Sequence, residues 1–210
     1  MTRAYKATYN YQCKTQIYEI GQEYKLNEKP ILCVKGFHYC KNAKDTLNYY
    51  TLKSDFKLLE IEDLNPIETI TDRHKSCSNH IKIIREITDP DELIQLLGFI
   101  RTFNELEQEL IFKTSDGYWR ERTYNKNGQE LSCKVSSGYW YEFTYNENGQ
   151  ELTSKNSDGY STEYTYDKNG NELTYKTSDG FWRERTYDEN ENELTYRDSD
   201  QLSYDVSVIL

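Results

Sequence analysis

From Phe112 to Tyr204 the chain repeats one pattern of polar and apolar positions every 21 residues. Each unit holds two short segments in which Tyr, Trp, Thr and Phe alternate with charged or polar residues. A period of two with these residue types is typical of β-strands. Because a fixed internal period outweighs other signals of fold, this part of the chain predicts an array of β-hairpins.

Two kinds of turn separate the strands of each unit. Asn127-Gly128 supplies the positive φ that a tight hairpin needs, and Ser115-Asp116-Gly117 makes the return turn in the same way. Both glycines recur at the same spacing, as Gly117, Gly138, Gly159 and Gly180, and as Gly128, Gly149 and Gly170. We therefore predict a C-terminal single-layer antiparallel β-meander of four 21-residue hairpin repeats, with roughly eight strands.

Alternation along each strand assigns the two faces of this sheet. One face is predicted to be aromatic and half-apolar, and in the first unit it holds Tyr118, Arg120, Arg122, Tyr124, Leu131 and Cys133. The other is predicted to be a polar ladder of Trp119, Glu121, Thr123, Glu130, Ser132 and Lys134. We expect cross-strand Thr–Thr and Glu–Lys pairs to stabilise this ladder.

Residues 1–88 predict a small mixed α/β domain. Strands are expected over residues 3–10, 30–35, 56–61 and 81–87, with a bent hairpin arm over residues 18–26. A helix of two or three turns is expected over residues 42–50, with Asn42 as its N-cap.

Residues 89–110 predict a helical connector. Asp89 is a strong N-cap and Pro90 suits the first helical position. Apolar residues follow at helical spacing up to Gly98, after which the helix is expected to resume through Leu106. The predicted domains are thus 1–88, 89–110 and 111–210, the fold class is α+β, and the apolar tail 206–210 is expected to pair with the last strand.

The repeats resemble a known family. The pattern Y-[DN]-x-N-G-x-E-L, most complete from Tyr166 to Leu173, resembles the YD or RHS-type repeat. In large RHS proteins such repeats form a long β-sheet that spirals into a shell. Four units are too few to close a shell, so the resemblance implies β-hairpins and no encapsulating role.

The first half also resembles a family. Its C-x-x-G-F-H-x-C segment (residues 33–40), the following Tyr49-Tyr50 and the strand at residues 81–86 resemble a domain of unknown function found in phage and mobile-element proteins of bacteria. The resemblance implies a phage or prophage accessory protein that acts inside a bacterium. It implies no activity.

Composition narrows the classes of partner. The chain has 210 residues, a net charge of −10 and 20 tyrosines, so it is too aromatic to be disordered despite its polarity. Residues 151–210 carry 14 acidic and 6 basic groups. This acidity argues against binding a phosphate backbone and permits a basic protein partner, although charge can also serve solubility alone.

The cysteines and the polar N-terminus indicate a compartment. Five cysteines, an odd number, predict free thiols in a reducing cytosol. The start Met-Thr-Arg-Ala-Tyr-Lys lacks the features of a signal peptide, and no apolar run approaches the length of a membrane span. We expect the cytoplasm of a bacterial host.

Histidines and cysteines cluster in the first half, as Cys33, His38, Cys40, His74, Cys77 and His80. Zinc prefers four such ligands in a tetrahedron, but these spacings match no standard knuckle. The alternative is structural, with Cys33 and Cys40 as small buried residues and His38 hydrogen-bonded near a helix start. We predict no metal and no cofactor.

A second candidate is a nucleotide-using enzyme site. The turn Gly36-Phe37-His38-Tyr39 before the Tyr49-Tyr50 pair resembles the way in which ADP-ribosyltransferases hold nicotinamide between aromatic rings. Such a site needs a catalytic acid, for which Glu60, Glu62 and Glu86 are available. Neither G-x-G-x-x-G nor a P-loop is present.

The third candidate is a binding surface on the aromatic face of the repeats. Tyr and Arg are favoured at protein interfaces, although together they also stack on single-stranded nucleic acid. The face can instead pack on the N-terminal domain or only stabilise the sheet. The predicted contact residues are Tyr118, Arg120, Arg122, Tyr139, Tyr141, Phe143, Tyr160, Tyr164, Phe181, Arg183 and Arg185.

The leading interpretation is therefore a non-catalytic, phage-encoded interaction protein. It is expected to bind, and to inhibit, a bacterial host or defence protein in the manner of an anti-CRISPR protein. The alternative is an enzyme with an ADP-ribosyltransferase-like site in the N-terminal domain.

Overall fold

A computed structural model describes residues 3–200 and 203–205 of the chain. It divides into two compact units, residues 1–118 and residues 119–210. The predicted pairing of the tail 206–210 lies outside the described residues. Among residues 3–200 and 203–205, none of the helices has the length and apolar character that a membrane span requires.

Between residues 3 and 88 the first unit contains nine strands and one 3₁₀ helix. The strands are β1 (Ala4–Tyr9), β2 (Gln12–Cys13), β3 (Gln16–Ile17), β4 (Glu23–Lys25), β5 (Phe37–Tyr39), β6 (Phe56–Asp63), β7 (Ile70–Asp72), β8 (Lys75–Ser78) and β9 (His80–Glu86). Six of them form an antiparallel sheet in the order β3-β2-β1-β6-β9-β4, and the other three form a small sheet in the order β5-β8-β7. The α+β class is confirmed, since strands dominate and helices are few.

The main sheet of the first unit is buried on both faces. Leu58 and Leu59 are neighbours on β6 and point to opposite faces, yet both are almost fully buried. Leu59 packs in one hydrophobic cluster with Ile61, and Leu58 packs in another with Tyr5. Two covered faces explain why this small domain holds a stable core.

The local predictions for the first unit have mixed outcomes. Asn42 caps the 3₁₀ helix Ala43–Asn48 by accepting from the Lys44 N–H, as predicted. The strand predicted over residues 30–35 is wrong: the Ile31 N–H bonds the Lys35 carbonyl, so the segment folds back into a turn. The hairpin arm predicted over residues 18–26 is also wrong, because β4 pairs with the distant β9.

The predicted connector contains one helix, α1 (Pro90–Leu97), with Asp89 as its N-cap. The helix does not resume after Gly98, which corrects the prediction. Strands β10 (Phe99–Phe103) and β11 (Glu109–Thr114) follow and pair as a hairpin. Its turn is a degenerate copy of the repeat, since Glu107 adopts φ +58° at the place where the next unit has Gly128. An acidic residue at that place hides the period from sequence inspection.

The second unit is a single sheet in which each strand pairs with the next, and the predicted meander is confirmed. Its strands are β12 (Trp119–Tyr124), β13 (Glu130–Val135), β14 (Trp140–Tyr145), β15 (Glu151–Asn156), β16 (Ser161–Tyr166), β17 (Glu172–Thr177), β18 (Trp182–Tyr187), β19 (Glu193–Asp198) and β20 (Ser203–Asp205). The predicted hydroxyl ladder is also present: the oxygens lie 2.7 Å apart in the pairs Thr123–Ser132, Thr144–Thr153, Thr165–Thr174 and Thr186–Thr195.

Side chains link adjacent repeats beyond the backbone ladder. The Tyr145 hydroxyl donates to the Glu130 carbonyl at 2.9 Å, and the Gln129 amide donates to the Gly149 carbonyl at 2.7 Å. Tyr166 and Gln150 make the same two bonds one unit later. The links are the same at both junctions between the three hairpins of residues 119–177, which are therefore held by a recurring interface, as in other repeat proteins.

We predict that Tyr145→Phe lowers the free energy of unfolding by about 1 kcal/mol, because the Glu130 carbonyl loses its side-chain donor. Urea denaturation followed by tyrosine and tryptophan fluorescence measures the change. Tyr139→Phe is the matched control, since the Tyr139 side chain is 38% exposed. Equal stability of the two variants would contradict a structural role for the Tyr145 hydroxyl.

Candidate functional site

Aromatic rings of the second unit lie together on one face of its sheet. Tyr141 contacts Tyr139 and Phe143, with ring centroids 6.3 and 5.4 Å away. Tyr175 joins Tyr164 and Phe181 in the same way, at 4.7 and 6.1 Å. The structure thus brings Tyr139, Tyr141 and Phe143 together in one group. It brings Tyr164 and Phe181 together around Tyr175 in a second group.

These rings form a partly exposed surface rather than a core. Tyr139 and Tyr160 at the turns are 38% and 40% exposed, and Tyr141, Phe143 and Tyr164 are half-buried. Tyr118 belongs to the first unit, where it is 39% exposed and packs against Phe112 at 6.1 Å. Rings that pack against their neighbours in this way have lost most of their side-chain conformational entropy before any partner binds.

A carboxylate also reaches the aromatic face in each repeat. A β-bulge between Thr123 and Tyr124 sets Tyr124 opposite Glu130, and the Glu130 side chain accepts from the Tyr141 hydroxyl. This corrects the prediction that placed Glu130 in the polar ladder. The same register shift occurs in the following hairpins, at Glu151, Glu172 and Glu193.

These carboxylates pair with the arginines of the face. Arg183 binds Glu172 through two hydrogen bonds of 2.6 and 2.8 Å, which raise the pKa of the guanidinium. Arg185 lies 3.3 Å from Glu193, and Arg122 lies 3.5 Å from Glu130. Because their charge is compensated within the face, Arg183, Arg185 and Arg122 are poorly suited to a phosphate backbone.

Sequence inspection missed two aromatic residues of this face. Tyr175 lies under the Arg183 guanidinium at 4.5 Å, and Tyr196 lies under Arg185 at 5.5 Å. They occupy the position that holds Cys133 and Ser154 in the earlier units. Alternation from Leu173 along β17 was the signal that pointed to Tyr175.

The first unit contains a cavity of about 280 Å³ beside β1, β5 and the 3₁₀ helix. Its lining includes His38, Tyr49 and Tyr50, which the sequence singled out, together with Lys6. Gly36 makes this placement possible: a Cβ there would lie 2.5 Å from the Cys77 sulfur. At φ +123° and with that contact, only glycine lets β5 approach β8 and present His38.

His38 is neutral in this cavity. Its Nε2 accepts a hydrogen bond from the Cys33 N–H at 2.9 Å. Burial is the main cause that lowers the pKa of His38 to about 4, and the positive charges of Lys6, Lys75 and Lys14 lower it further. Burial also raises the pKa of the Cys40 thiol to about 11, so this cysteine is protonated at neutral pH.

The three candidate catalytic acids do not line this cavity. Glu60 binds Arg85 at 2.7 Å, and Glu86 pairs with Lys57 at 3.1 Å. Glu62 lines a separate hollow beside Arg3. His38 and Tyr50 therefore share a cavity without the carboxylate that an ADP-ribosyltransferase-like site requires.

The histidines and cysteines also fail to assemble as zinc ligands. Among residues 3–200 and 203–205, no group of three His, Cys, Asp or Glu is placed to hold a metal ion. His74 instead faces Asp45 at 3.1 Å, and His80 faces Glu23 at 3.4 Å. All five cysteines are free, and Cys33 is exposed rather than buried as the structural alternative had it.

Several solved structures are similar to part of this chain. The crystal structure of TcdB2-TccC3-Cdc42 matches at 20% identity and a TM-score of 0.38, covering 56% of this chain and 6% of that one. The Photorhabdus luminescens Tc holotoxin pore matches at 17% identity and a TM-score of 0.38, covering 68% and 7%. At these TM-scores the likeness says nothing about fold or activity, and no curated protein matches the chain.

Family models match both halves. Residues 2–95 match DUF7666, a domain of unknown function, and residues 145–181 match the RHS repeat. The resemblances to a domain of unknown function and to the RHS repeat are thereby confirmed, whereas the phage origin stays a prediction. The chain thus carries a stretch that matches DUF7666 in its first half and a stretch that matches the RHS repeat within its β-hairpins.

Proposed function

We propose that the chain is a non-catalytic binding protein whose repeat sheet contacts a protein partner through its aromatic face. The observation that carries this proposal is the set of half-exposed Tyr and Phe rings on one face of the 119–205 sheet. Tyrosine rings bury a large area and keep a polar tip, which suits them to contact proteins.

The face is organised for binding before a partner arrives. Rings contact rings, and the Glu172 carboxylate holds the Arg183 guanidinium in a fixed position over Tyr175. A partner therefore freezes few side chains on this surface, which lowers the entropic cost of association. The paired charges also avoid leaving a lone guanidinium in a dry interface.

The charge of the later repeats indicates the kind of partner. Acidic residues stand in the exposed turns, such as Glu189 and Asp200, and residues 151–210 carry 14 acidic against 6 basic groups. A negative surface accelerates the encounter with a positive one and repels a nucleic acid. The partner we propose is accordingly a protein with a basic surface.

The resemblance of the first half to phage-borne domains supports a setting inside a bacterium. The partner would then be a host or defence protein met in the bacterial cytoplasm, and binding would inhibit it. Free thiols agree with a reducing compartment.

We predict that replacing Tyr139 and Tyr160 together by Ala weakens binding of the partner about tenfold or more. The chain is used to capture proteins from a bacterial lysate, mass spectrometry identifies the partner, and surface plasmon resonance measures its affinity. Thr144→Ala with Thr165→Ala on the hydroxyl ladder is the matched control. If the threonine variant loses affinity and the tyrosine variant does not, the partner binds the opposite face of the sheet.

We also predict that salt weakens the complex. Raising sodium chloride from about 50 mM to about 500 mM should slow association, because screening suppresses steering by the acidic turns. The double variant Glu189→Gln, Asp200→Asn should show a smaller dependence on salt in the same measurement. An association rate independent of salt would contradict a basic partner.

A further inference from the structure

Lys6 is a buried cation at the cavity of the first unit. Its side chain is only 3% exposed and lines the cavity. The ammonium donates to the His38 carbonyl at 2.8 Å and lies 4.8 Å from the centre of the Tyr18 ring. Within the described ranges 3–200 and 203–205, no Asp or Glu forms an ion pair with it.

A buried charge without a counter-charge is costly, and this cost appears as a lowered pKa of Lys6. Burial is the main cause of the lowered pKa, and the nearby Lys14 contributes in the same direction. Proteins rarely bury lysine unless something pairs with it. An anion that entered the cavity would supply the counter-charge that Lys6 lacks among the described side chains.

Two further lysines surround the same space. Lys14 and Lys75 line the cavity, and both act on His38 together with Lys6. Lys75 is held there by the Cys33 sulfur at 3.0 Å. The lining contains no carboxylate to offset these three cations. Three cations suit phosphate, which carries up to two negative charges and several acceptor oxygens, better than a single carboxylate.

Several aromatic side chains also line the cavity. Tyr5, Tyr49 and Tyr50 border the cavity, and the Lys75 ammonium lies 4.8 Å from the centre of the Tyr49 ring. Tyr49 is 49% exposed, so its ring lies where the cavity opens to solvent. Flat apolar walls beside a cluster of cations are the features that small-molecule sites combine.

We propose that this cavity binds a small molecule that carries a phosphate group on an aromatic body, of the size of a mononucleotide. Lys6, Lys14 and Lys75 hold the phosphate, and the tyrosines contact the aromatic body. The proposal concerns binding and includes no chemical step. It is independent of the partner proposed for the repeat sheet, which lies in the other unit.

Isothermal titration calorimetry of the full chain with adenosine monophosphate, inorganic phosphate and adenosine tests the proposal. We expect the monophosphate to bind most tightly, inorganic phosphate more weakly and adenosine least. Lys75→Ala should weaken binding of the monophosphate about tenfold. Lys35→Ala is the matched control, since Lys35 pairs with Glu28 and does not line the cavity, and it should leave binding unchanged.

Lys6→Met provides a second readout. Methionine fills a similar volume without charge, so the unliganded variant should melt at no lower temperature than the wild type, while its affinity for adenosine monophosphate falls at least tenfold. A lower melting temperature would show that the charge of Lys6 is already satisfied and would overturn the argument for a missing anion. If neither adenosine monophosphate nor inorganic phosphate binds at millimolar concentration, the proposed site is wrong. It is also wrong if Lys75→Ala binds adenosine monophosphate as tightly as the wild type. Benzoate, an aromatic carboxylate without phosphate, is titrated as a comparison. If it binds more tightly than adenosine monophosphate, the choice of phosphate is wrong.

Discussion

The repeat sheet depends on the β-bulge that lies beside one turn of each repeat, the turn that precedes Glu130 and its counterparts. One extra residue lets Glu130, and its counterparts in later units, turn towards the rings instead of the threonine ladder. Without it, strict alternation would leave the Arg122 and Arg183 guanidinium groups beside the rings with no opposite charge nearby. Half-buried cations of that kind are costly. The bulge therefore makes one face both aromatic and electrically balanced.

Local chemistry made much of this fold predictable. The repeat period, the turn glycines and the caps at Asn42 and Asp89 act over a few residues, so the sequence alone identifies them. The bulge was not predictable, because alternation assigns a face only while no residue is extra. The hairpin at residues 99–114 was not predicted for a different reason. Glu107 adopts a left-handed conformation in its turn, and a glycine at that position would have indicated the turn in the sequence, whereas a glutamate does not.

The cavity shows the same division between local and long-range information. His38, Tyr49 and Tyr50 stand close together in the chain, so a motif reveals them. Lys6 and Lys75 come from β1 and β8, and only the folded sheets bring them to the same space. Nothing in the residues around Lys6 distinguishes it from a solvated lysine on a strand. Its meaning depends on burial, which is a property of the tertiary structure.

The side-chain links between hairpins have a consequence for how such a chain can change in length. Tyr145 and Tyr166 reach the same backbone atom of the preceding unit, and Gln129 and Gln150 reach the same atom of the following turn. A unit duplicated or deleted in frame would meet neighbours that already present these atoms. Between β12 and β17 the sheet can thus grow or shrink in steps of 21 residues without a new interface having to arise.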